Sequence, residues 1–124
     1  MKKEPLDPFI GESYLNLATL RKDGKEVHTP VWFVQDNGLL FVRTIGDSGK
    51  VKRIRNNPAV RVAACEVDGR LRGEWIPGRA RLATAAEAER VDRLLDEKYG
   101  ETKRAFEAKT LSQGLAYTVI AIQV

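Results

Sequence analysis

The apolar positions of the chain fall into short blocks that are separated by tight-turn signals. The signals are Asp23-Gly24, Asn37-Gly38, Asp68-Gly69 and Pro77-Gly78, dipeptides typical of hairpins. The blocks between them are rich in β-branched and aromatic residues, and they predict six strands, at about 14–20, 27–34, 39–44, 60–67, 71–82 and 116–124. Alternation is clearest in the first block, where Leu15, Leu17 and Thr19 share one face.

These strands follow one another through tight turns and do not alternate with helices. Such an order predicts a mainly β fold in which one antiparallel sheet curls into a barrel. One helix interrupts the barrel between Ser48, a candidate N-cap, and about Asn57, where Pro58 ends the pattern. Its apolar residues, Val51 and Ile54, stand three apart, as the inner face of a helix requires.

A second helix is predicted to begin at Thr84, which forms a capping box with Glu87, and to end at Gly100. One apolar stripe runs along it, made of Ala88, Val91, Leu94, Leu95 and Tyr99. Whether a third, shorter helix forms at about 103–111 is left open by the pattern. The fold expected is therefore a six-stranded antiparallel barrel with two or three short helices.

Length and composition narrow the class of protein. The 124 residues suit one domain spanning 1–124, and an apolar content of 43% excludes a disordered chain. No apolar run approaches the roughly 20 residues of a membrane helix, and the charged N-terminus has no apolar segment behind it. Cys65 is the single cysteine, so an internal disulfide is excluded and no Cys/His cluster suggests a metal. We therefore expect a cytoplasmic protein without a membrane or metal partner.

The net charge of +4 comes from 21 basic and 17 acidic side chains. Nucleic-acid binding would call for basic residues gathered in one stripe with aromatic residues among them. Here the basic residues are spread along the chain, with one concentration at Lys50-Val-Lys-Arg-Ile-Arg55. The charge therefore argues against a nucleic-acid partner and leaves this one cluster to be explained.

The strongest candidate for chemistry is the segment Arg43-Thr-Ile-Gly-Asp-Ser-Gly-Lys50, where a strand, a loop with two glycines and a helix start follow one another. A helix N-terminus presents unpaired N–H groups and a partial positive charge, which attract phosphate. Nearby groups add to it: the hydroxyls of Thr44 and Ser48, and the charges of Arg43 and Lys50. An ordinary capped helix with a solvated basic face explains the same residues. A Walker loop is excluded, because Val51 follows the Gly-Lys pair.

At this point the chain resembles the pyridoxamine 5′-phosphate oxidase-like split barrels, which share their fold with FMN-binding proteins. Their phosphate-binding pattern is matched by Thr44, Ser48, Lys50, Ile54, Asn57 and Pro58. Upstream, His28-Thr-Pro-Val-Trp-Phe33 corresponds to the strand that lines the flavin ring in that family. The motifs Asp47-Ser-Gly-Lys-Val-Lys-Arg53 and Gly73-Glu-Trp75 are similar to those of a branch of the family that uses the deazaflavin coenzyme F420.

The resemblance implies roles for particular residues. Ser48, Gly49 and Lys50 would bind the cofactor phosphate, helped by Arg43 and Thr44. The ring system would lie along Thr29, Pro30, Val31 and Trp32. The anionic polyglutamate tail of F420 would be attracted by Lys52, Arg53 and Arg55, although a solvated helix face explains these three equally well. No catalytic residue is identified, and the single histidine, His28, is more readily structural or exposed.

Departures from the flavin-binding oxidases favour F420 over FMN. Gly49 stands where a second basic residue usually precedes the phosphate-binding lysine, and no glutamine occurs near Gly73 and Glu74. The resemblance therefore implies an oxidoreductase that transfers hydride to a small conjugated organic substrate. It also implies a homodimer with the cofactor in the cleft between subunits. The alternatives are an FMN enzyme on the same scaffold and a non-catalytic protein that carries a cofactor or tetrapyrrole.

Overall fold

The computed structural model describes residues 6–46, 48–113 and 116–124, without the side chains of residues 111 and 112. Asp47, part of the predicted phosphate loop, lies outside the described residues. Seven strands are present: β1 (Tyr14–Leu20), β2 (Glu26–Val31), β3 (Val34–Asp36), β4 (Leu39–Ile45), β5 (Ala59–Cys65), β6 (Ile76–Leu82) and β7 (Tyr117–Gln123). The helices are α1 (Gly49–Asn56), α2 (Ala85–Tyr99) and α3 (Glu101–Ser112), and a short 3₁₀ helix, Asp7–Phe9, precedes β1.

All strand pairs are antiparallel, in the order β2-β1-β5-β6-β7-β4-β3. The two ends of this order, β2 and β3, follow one another in the chain and are separated only by Trp32 and Phe33. The sheet must therefore curl until its edges approach, which makes a barrel that is split between β2 and β3. This confirms the predicted mainly β, antiparallel split barrel with accompanying helices.

The prediction of six strands was wrong in one place, because the block 27–34 divides. β2 stays paired to β1 as far as Val31, opposite Leu15. Trp32 and Phe33 then leave the sheet, and the backbone N–H of Phe33 donates to the hydroxyl of Tyr99 at 3.1 Å. Phe33 thus finds its hydrogen-bond partner on α2 rather than on a neighbouring strand, so the chain turns here instead of continuing as one strand.

The predicted strand 71–82 is also shorter than expected, since β6 begins only at Ile76. The prediction of a turn signal at Pro77-Gly78 was wrong, because both residues lie within β6 and pair with β5. Leu71 makes a single isolated bridge to Cys65. Just before it, the carbonyl of Gly69 accepts a hydrogen bond from the side-chain amide of Asn16 in β1 at 3.0 Å. The connection from β5 to β6 therefore covers part of the sheet instead of extending it.

The helices follow the capping signals. The capping box of α2 is confirmed: the Thr84 side chain accepts from the N–H of Glu87 at 3.2 Å, and Glu87 accepts from the N–H of Thr84 at 2.8 Å. Gly100 ends α2 with a φ of +54°, and α3 starts at the next residue. Ser48 is the N-cap of α1, as predicted, but its side chain makes no capping hydrogen bond.

Two apolar clusters stabilise these elements. Strands β1, β4, β5 and β7 fill the barrel interior with fully buried side chains. Among these are Leu15, Leu17, Leu40, Val42, Val62, Ile120 and Ile122. Helix α1 adds Val51 and Ile54 to this interior. On the outer face of β4 and β7, Val91 and Leu95 of α2 pack against Phe41 and Val119. The second cluster fixes α2 beside the ends of β3 and β4.

The capping box generates a prediction about pH. The Arg81 guanidinium, together with the N–H of Thr84, lowers the pKa of Glu87 from 4.5 to about 2. Because the folded pKa lies below the unfolded one, the stabilisation is complete above about 4.5 and disappears as the pH falls through about 2. We expect Glu87→Gln to lower the free energy of unfolding at pH 7, with the difference from wild type shrinking across that window.

Urea unfolding at several pH values measures this difference. Glu89→Gln is the matched control, since Glu89 is exposed on the same helix and takes no part in the capping box. A difference between wild type and Glu87→Gln that stays constant from pH 7 to pH 2 would contradict the assigned pairing.

Candidate functional site

A cleft of about 470 Å³ opens in the split of the barrel, where β2, β4 and the start of α1 come together. Seven of the nine predicted cofactor-binding residues line it: Thr29, Pro30, Val31, Trp32, Arg43, Thr44 and Lys50. The other two, Ser48 and Gly49, do not line the cleft but stand between Thr44 and Lys50 in the chain. Two segments that are distant in sequence thus meet at one cleft, and their contact with a cofactor stays a prediction.

Aromatic side chains form one wall of the cleft. The Trp32 ring lies nearly parallel to that of Tyr99, with centroids 4.5 Å apart and 11° between the planes. Phe106 of α3 meets Trp32 at 5.7 Å and 53°, and it is 52% exposed. Flat apolar rings of this kind offer a stacking surface to a planar ligand.

The position of Trp32 depends on the chain just after it. The hydroxyl of Tyr99 donates to the backbone carbonyl of Ser13 at 2.8 Å while it accepts from the N–H of Phe33. The ammonium of Lys98 donates to the carbonyl of Phe33 at 2.8 Å and lies 3.6 Å from the centre of the Phe33 ring. Burial raises the pKa of Tyr99 to about 12, so this hydroxyl keeps its proton at neutral pH. Burial lowers the pKa of Lys98 to about 8.

The opposite end of the cleft carries the groups expected to hold a phosphate. Thr44 is buried at the end of β4, and its hydroxyl lies 3.5 Å from that of Ser48. The Ser48 side chain does not cap α1, so the N–H groups of the first turn have no side-chain acceptor from this residue. Lys50 of that turn is half-buried in the cleft, and burial, together with the charge of Arg53, lowers the pKa of its ammonium.

Arg43 lines the cleft, but its charge is already compensated. Its guanidinium lies 3.0 Å from Asp92 and 3.4 Å from Glu107, with 9% of the side chain exposed, and 3.9 Å from the centre of the Tyr117 ring. Lys103, almost fully buried, pairs with the same two carboxylates. In this arrangement Arg43 links β4 to α2 and α3. Its contact with a phosphate stays a prediction, because Asp92 and Glu107 already compensate the charge of its guanidinium.

The three residues assigned to a cofactor tail are in different surroundings. Lys52 and Arg55 are exposed on α1, as either a tail site or a solvated face requires. Arg53 is partly buried, and its Nε donates to the hydroxyl of Thr19 at 2.6 Å. These residues therefore do not act as one group, and Arg53 needs a separate explanation.

Several cleft residues were missed by the sequence analysis, namely Tyr14, Ile45, Val67, Leu95, Phe106 and Tyr117. Tyr99, which stacks on Trp32, was assigned only to the apolar stripe of α2. A helical stripe shows that a residue is turned inward, but not which strand it meets, so no local signal could have placed Tyr99 there. The turn at Trp32 and Phe33 creates the contact.

Other reactive side chains lie outside this cleft. His28 contacts Glu26 at 3.2 Å and the Trp75 ring at 4.8 Å between centroids, and it is partly exposed. Cys65 is buried, as predicted, and burial raises the pKa of its thiol to about 11, so it is not a nucleophile at neutral pH. Within residues 6–46, 48–113 and 116–124 no group of acidic, histidine and cysteine side chains fits a metal, and no helix could cross a membrane.

Comparison with known proteins gives one family match. The model of the family described as "Pyridoxamine 5′-phosphate oxidase" matches residues 3–124. A search of the curated proteins gives no match. Among solved structures the chain is similar to the heme storage protein HutZ from Vibrio cholerae, with 20% identity and a TM-score of 0.69 over 95% of this chain and 89% of that one.

Two further structures share the fold at similar identity. An F420-H2 dependent reductase, FDR-A, has 20% identity and a TM-score of 0.63, over 90% of this chain and 94% of the other. An FAD-binding protein from Mesorhizobium loti has 17% identity and a TM-score of 0.65, over 94% and 82%. At such identities these structures show the fold of the chain and leave its ligand open.

The hydrogen bonds of Tyr99 generate a second prediction. Tyr99→Phe removes the hydroxyl that bonds to Phe33 and Ser13 and leaves a buried N–H without its partner, which costs about 1–3 kcal/mol. We expect that loss in the free energy of unfolding, together with a changed near-ultraviolet dichroism from the loosened Trp32 ring. Tyr14→Phe is the control, because Tyr14 lines the same cleft and its hydroxyl makes no hydrogen bond among the described residues. Equal stability of the two variants would contradict this role of Tyr99.

Proposed function

The chain belongs to the pyridoxamine 5′-phosphate oxidase family, and we propose that its cleft binds the deazaflavin coenzyme F420 and transfers hydride to a small conjugated organic substrate. The observation that carries the proposal is the meeting of two motif segments, 29–32 and 43–50, in one cleft. One segment supplies a flat apolar surface, and the other supplies a helix start with a lysine. A ligand with a planar ring and a phosphate matches both ends.

The chemistry of the lining residues fits such a cofactor. The volume of about 470 Å³ is within the usual range for sites of small molecules. At one end, Lys50 and the uncapped N–H groups of α1 suit an anion. At the other, Trp32 and its aromatic neighbours suit a conjugated ring. The bound deazaflavin would supply the hydride chemistry, as cofactors of this type do.

The protein's own part in this function is to bind and to orient. Lys50 anchors the phosphate and so sets how far the ring extends along β2. Thr29, Pro30 and Val31 line the cleft from β2 and would lie beside a ring placed on this strand. Trp32 and Phe106 exclude water from one side of the ring, which keeps the reacting centre in an apolar environment.

Charge favours the deazaflavin over FMN. Lys52 and Arg55 are exposed on α1, the helix whose start forms the phosphate end, and they would attract the anionic tail of F420. FMN has no such tail, so with FMN these two charges would form only a solvated face of the helix.

We extend the proposal to a homodimer with the cofactor between subunits. The apolar side chains at the mouth of the cleft are exposed in the single chain: Val67 by 64% and Phe106 by 52%. A second copy placed over this mouth would bury them and enclose the ring. One subunit alone leaves the cleft open on this side.

A carrier protein is the second candidate, because HutZ, which has the same fold, is described as a heme storage protein. The residues of this chain weigh against haem in the same cleft. The single histidine, His28, lies outside it and is engaged with Glu26 and Trp75. An imidazole ligand is therefore not available at the site.

The proposal predicts that Lys50→Ala weakens cofactor binding. A lost charged hydrogen bond is worth about 1.5–3 kcal/mol, or roughly a 10- to 150-fold higher Kd. Titration with F420 and with FMN, followed by tryptophan fluorescence, measures the effect, because Trp32 lies in the cleft. Lys52→Ala is the matched control: it removes the same charge from the same helix and is expected to leave FMN binding unchanged.

Three outcomes would contradict parts of the proposal. An unchanged Kd for Lys50→Ala would mean that the phosphate lies elsewhere. Tight FMN binding with no binding of F420 would reverse the choice of cofactor. Binding of F420 without reduction of any acceptor in a panel of quinones, enones and tetrapyrroles would favour the carrier.

A further inference from the structure

Arg53 occupies the space that a side chain at position 49 would need. A β-carbon built on Gly49 would lie 2.6 Å from Nη1 of Arg53, closer than such atoms approach in proteins. The guanidinium of Arg53 thus lies against the first turn of α1, directly over the backbone of its first residue. Gly49 and Arg53 stand four apart on one helix, so the arginine reaches back toward the helix start.

This position is fixed by an anchor inside the barrel. Nε of Arg53 donates to the hydroxyl of Thr19 at 2.6 Å, and Thr19 is fully buried. Among the described residues the Nη groups have no hydrogen-bond acceptor. A guanidinium has five N–H donors in a rigid fork. The Nε–H of Arg53 bonds to Thr19, and the N–H groups of its two Nη atoms are presented at the start of α1.

The cations around this helix start lack carboxylate partners in the described part of the chain. Lys50 and Arg53 form no ion pair with the described residues. Burial lowers the pKa of both side chains, and a neighbouring cation lowers each further: Arg53 that of Lys50, and Arg21 that of Arg53. Arg43, at the other side of the cleft, pairs with Asp92 and Glu107. Among the described residues, carboxylates therefore neutralise Arg43 and leave Lys50 and Arg53 on α1 for an external anion.

We propose that Arg53 supplies the second positive charge of the phosphate site, in place of a basic side chain at position 49, and that Gly49 is required because it leaves room for the guanidinium. Where the phosphate lies rests on the proposed function. The assignment changes the role of Arg53 from a tail contact to a phosphate contact. It also explains how a phosphate site with a glycine at the head of α1 can still hold two cations.

The test compares variants by their binding of inorganic phosphate, at constant ionic strength, followed through the amide shifts of α1 in NMR spectra. Arg53→Met removes the charge and keeps most of the length, and it is expected to raise the Kd about 10- to 100-fold. Gly49→Ala keeps the charge, but its β-carbon displaces the guanidinium, so the Kd should also rise. Arg93→Met is the matched control, since Arg93 is exposed on α2, outside the cleft, and its Kd should match wild type.

The double variant Gly49→Ala/Arg53→Met separates this role from a general effect on the helix. If Gly49 acts through Arg53, the double variant binds phosphate as Arg53→Met does, with no additional loss. Thermal unfolding checks that the variants fold; alanine favours a helix more than glycine, and the clash involves only the mobile end of a side chain. Additive losses would show that position 49 does not act through Arg53 and would overturn the proposal.

The same titrations distinguish this inference from the proposed function. Wild-type affinity for phosphate in Arg53→Met, or no phosphate binding by the wild type, overturns the role of Arg53. If Arg53→Met loses phosphate while the wild type binds neither F420 nor FMN, the role of Arg53 stands and the cofactor assignment fails. If Lys50→Ala weakens F420 and Arg53→Met leaves phosphate binding intact, the cofactor assignment stands and this inference fails.

Discussion

The cleft depends on one turn of the chain, at Trp32 and Phe33, where β2 stops pairing with β1 before β3 begins to pair with β4. Backbone groups that leave a sheet need other partners, and here Tyr99 and Lys98 bond to the N–H and the carbonyl of Phe33. These bonds come from the last turn of α2, so they also fix the helix to the edge of the split. Without the turn, β2 and β3 would form one strand, and there would be no opening in which the motif segments 29–32 and 43–50 could face each other.

The parts of the fold that could be predicted from the sequence are those determined by nearby residues. Hairpin strands follow from Asp23-Gly24 and Asn37-Gly38, and the start of α2 follows from Thr84 and Glu87, because each signal acts over two to four positions. The turn at Phe33 could not be predicted in this way, since its partners are 65 and 66 residues further along the chain. Apolar, β-branched residues on both sides of it fit a continuous strand equally well.

The candidate site likewise has one part that nearby residues determine and one part that depends on distant residues. The motif around Lys50 is local, and the structure brings it to the cleft as the spacing indicated. The surroundings of the arginines are not local. Arg43 pairs with Asp92 of α2 and Glu107 of α3, whereas Arg53 bonds to Thr19 of β1. A run of basic residues in the sequence therefore does not show which of their charges lack an ion-pair partner, because that depends on carboxylates elsewhere in the chain.

The hydroxyl of Ser48, which stands at the N-cap of α1 without bonding to it, has a thermodynamic consequence. Elsewhere in this chain a side chain completes the start of a helix, as Thr84 does for α2. For α1 that place is open, and an anion bound there would itself serve as the cap. Ligand binding and the folding of α1 would then share the same N–H donors, so that each stabilises the other by mass action. The N-terminal cap of α1 would then come from the ligand rather than from a side chain of the protein.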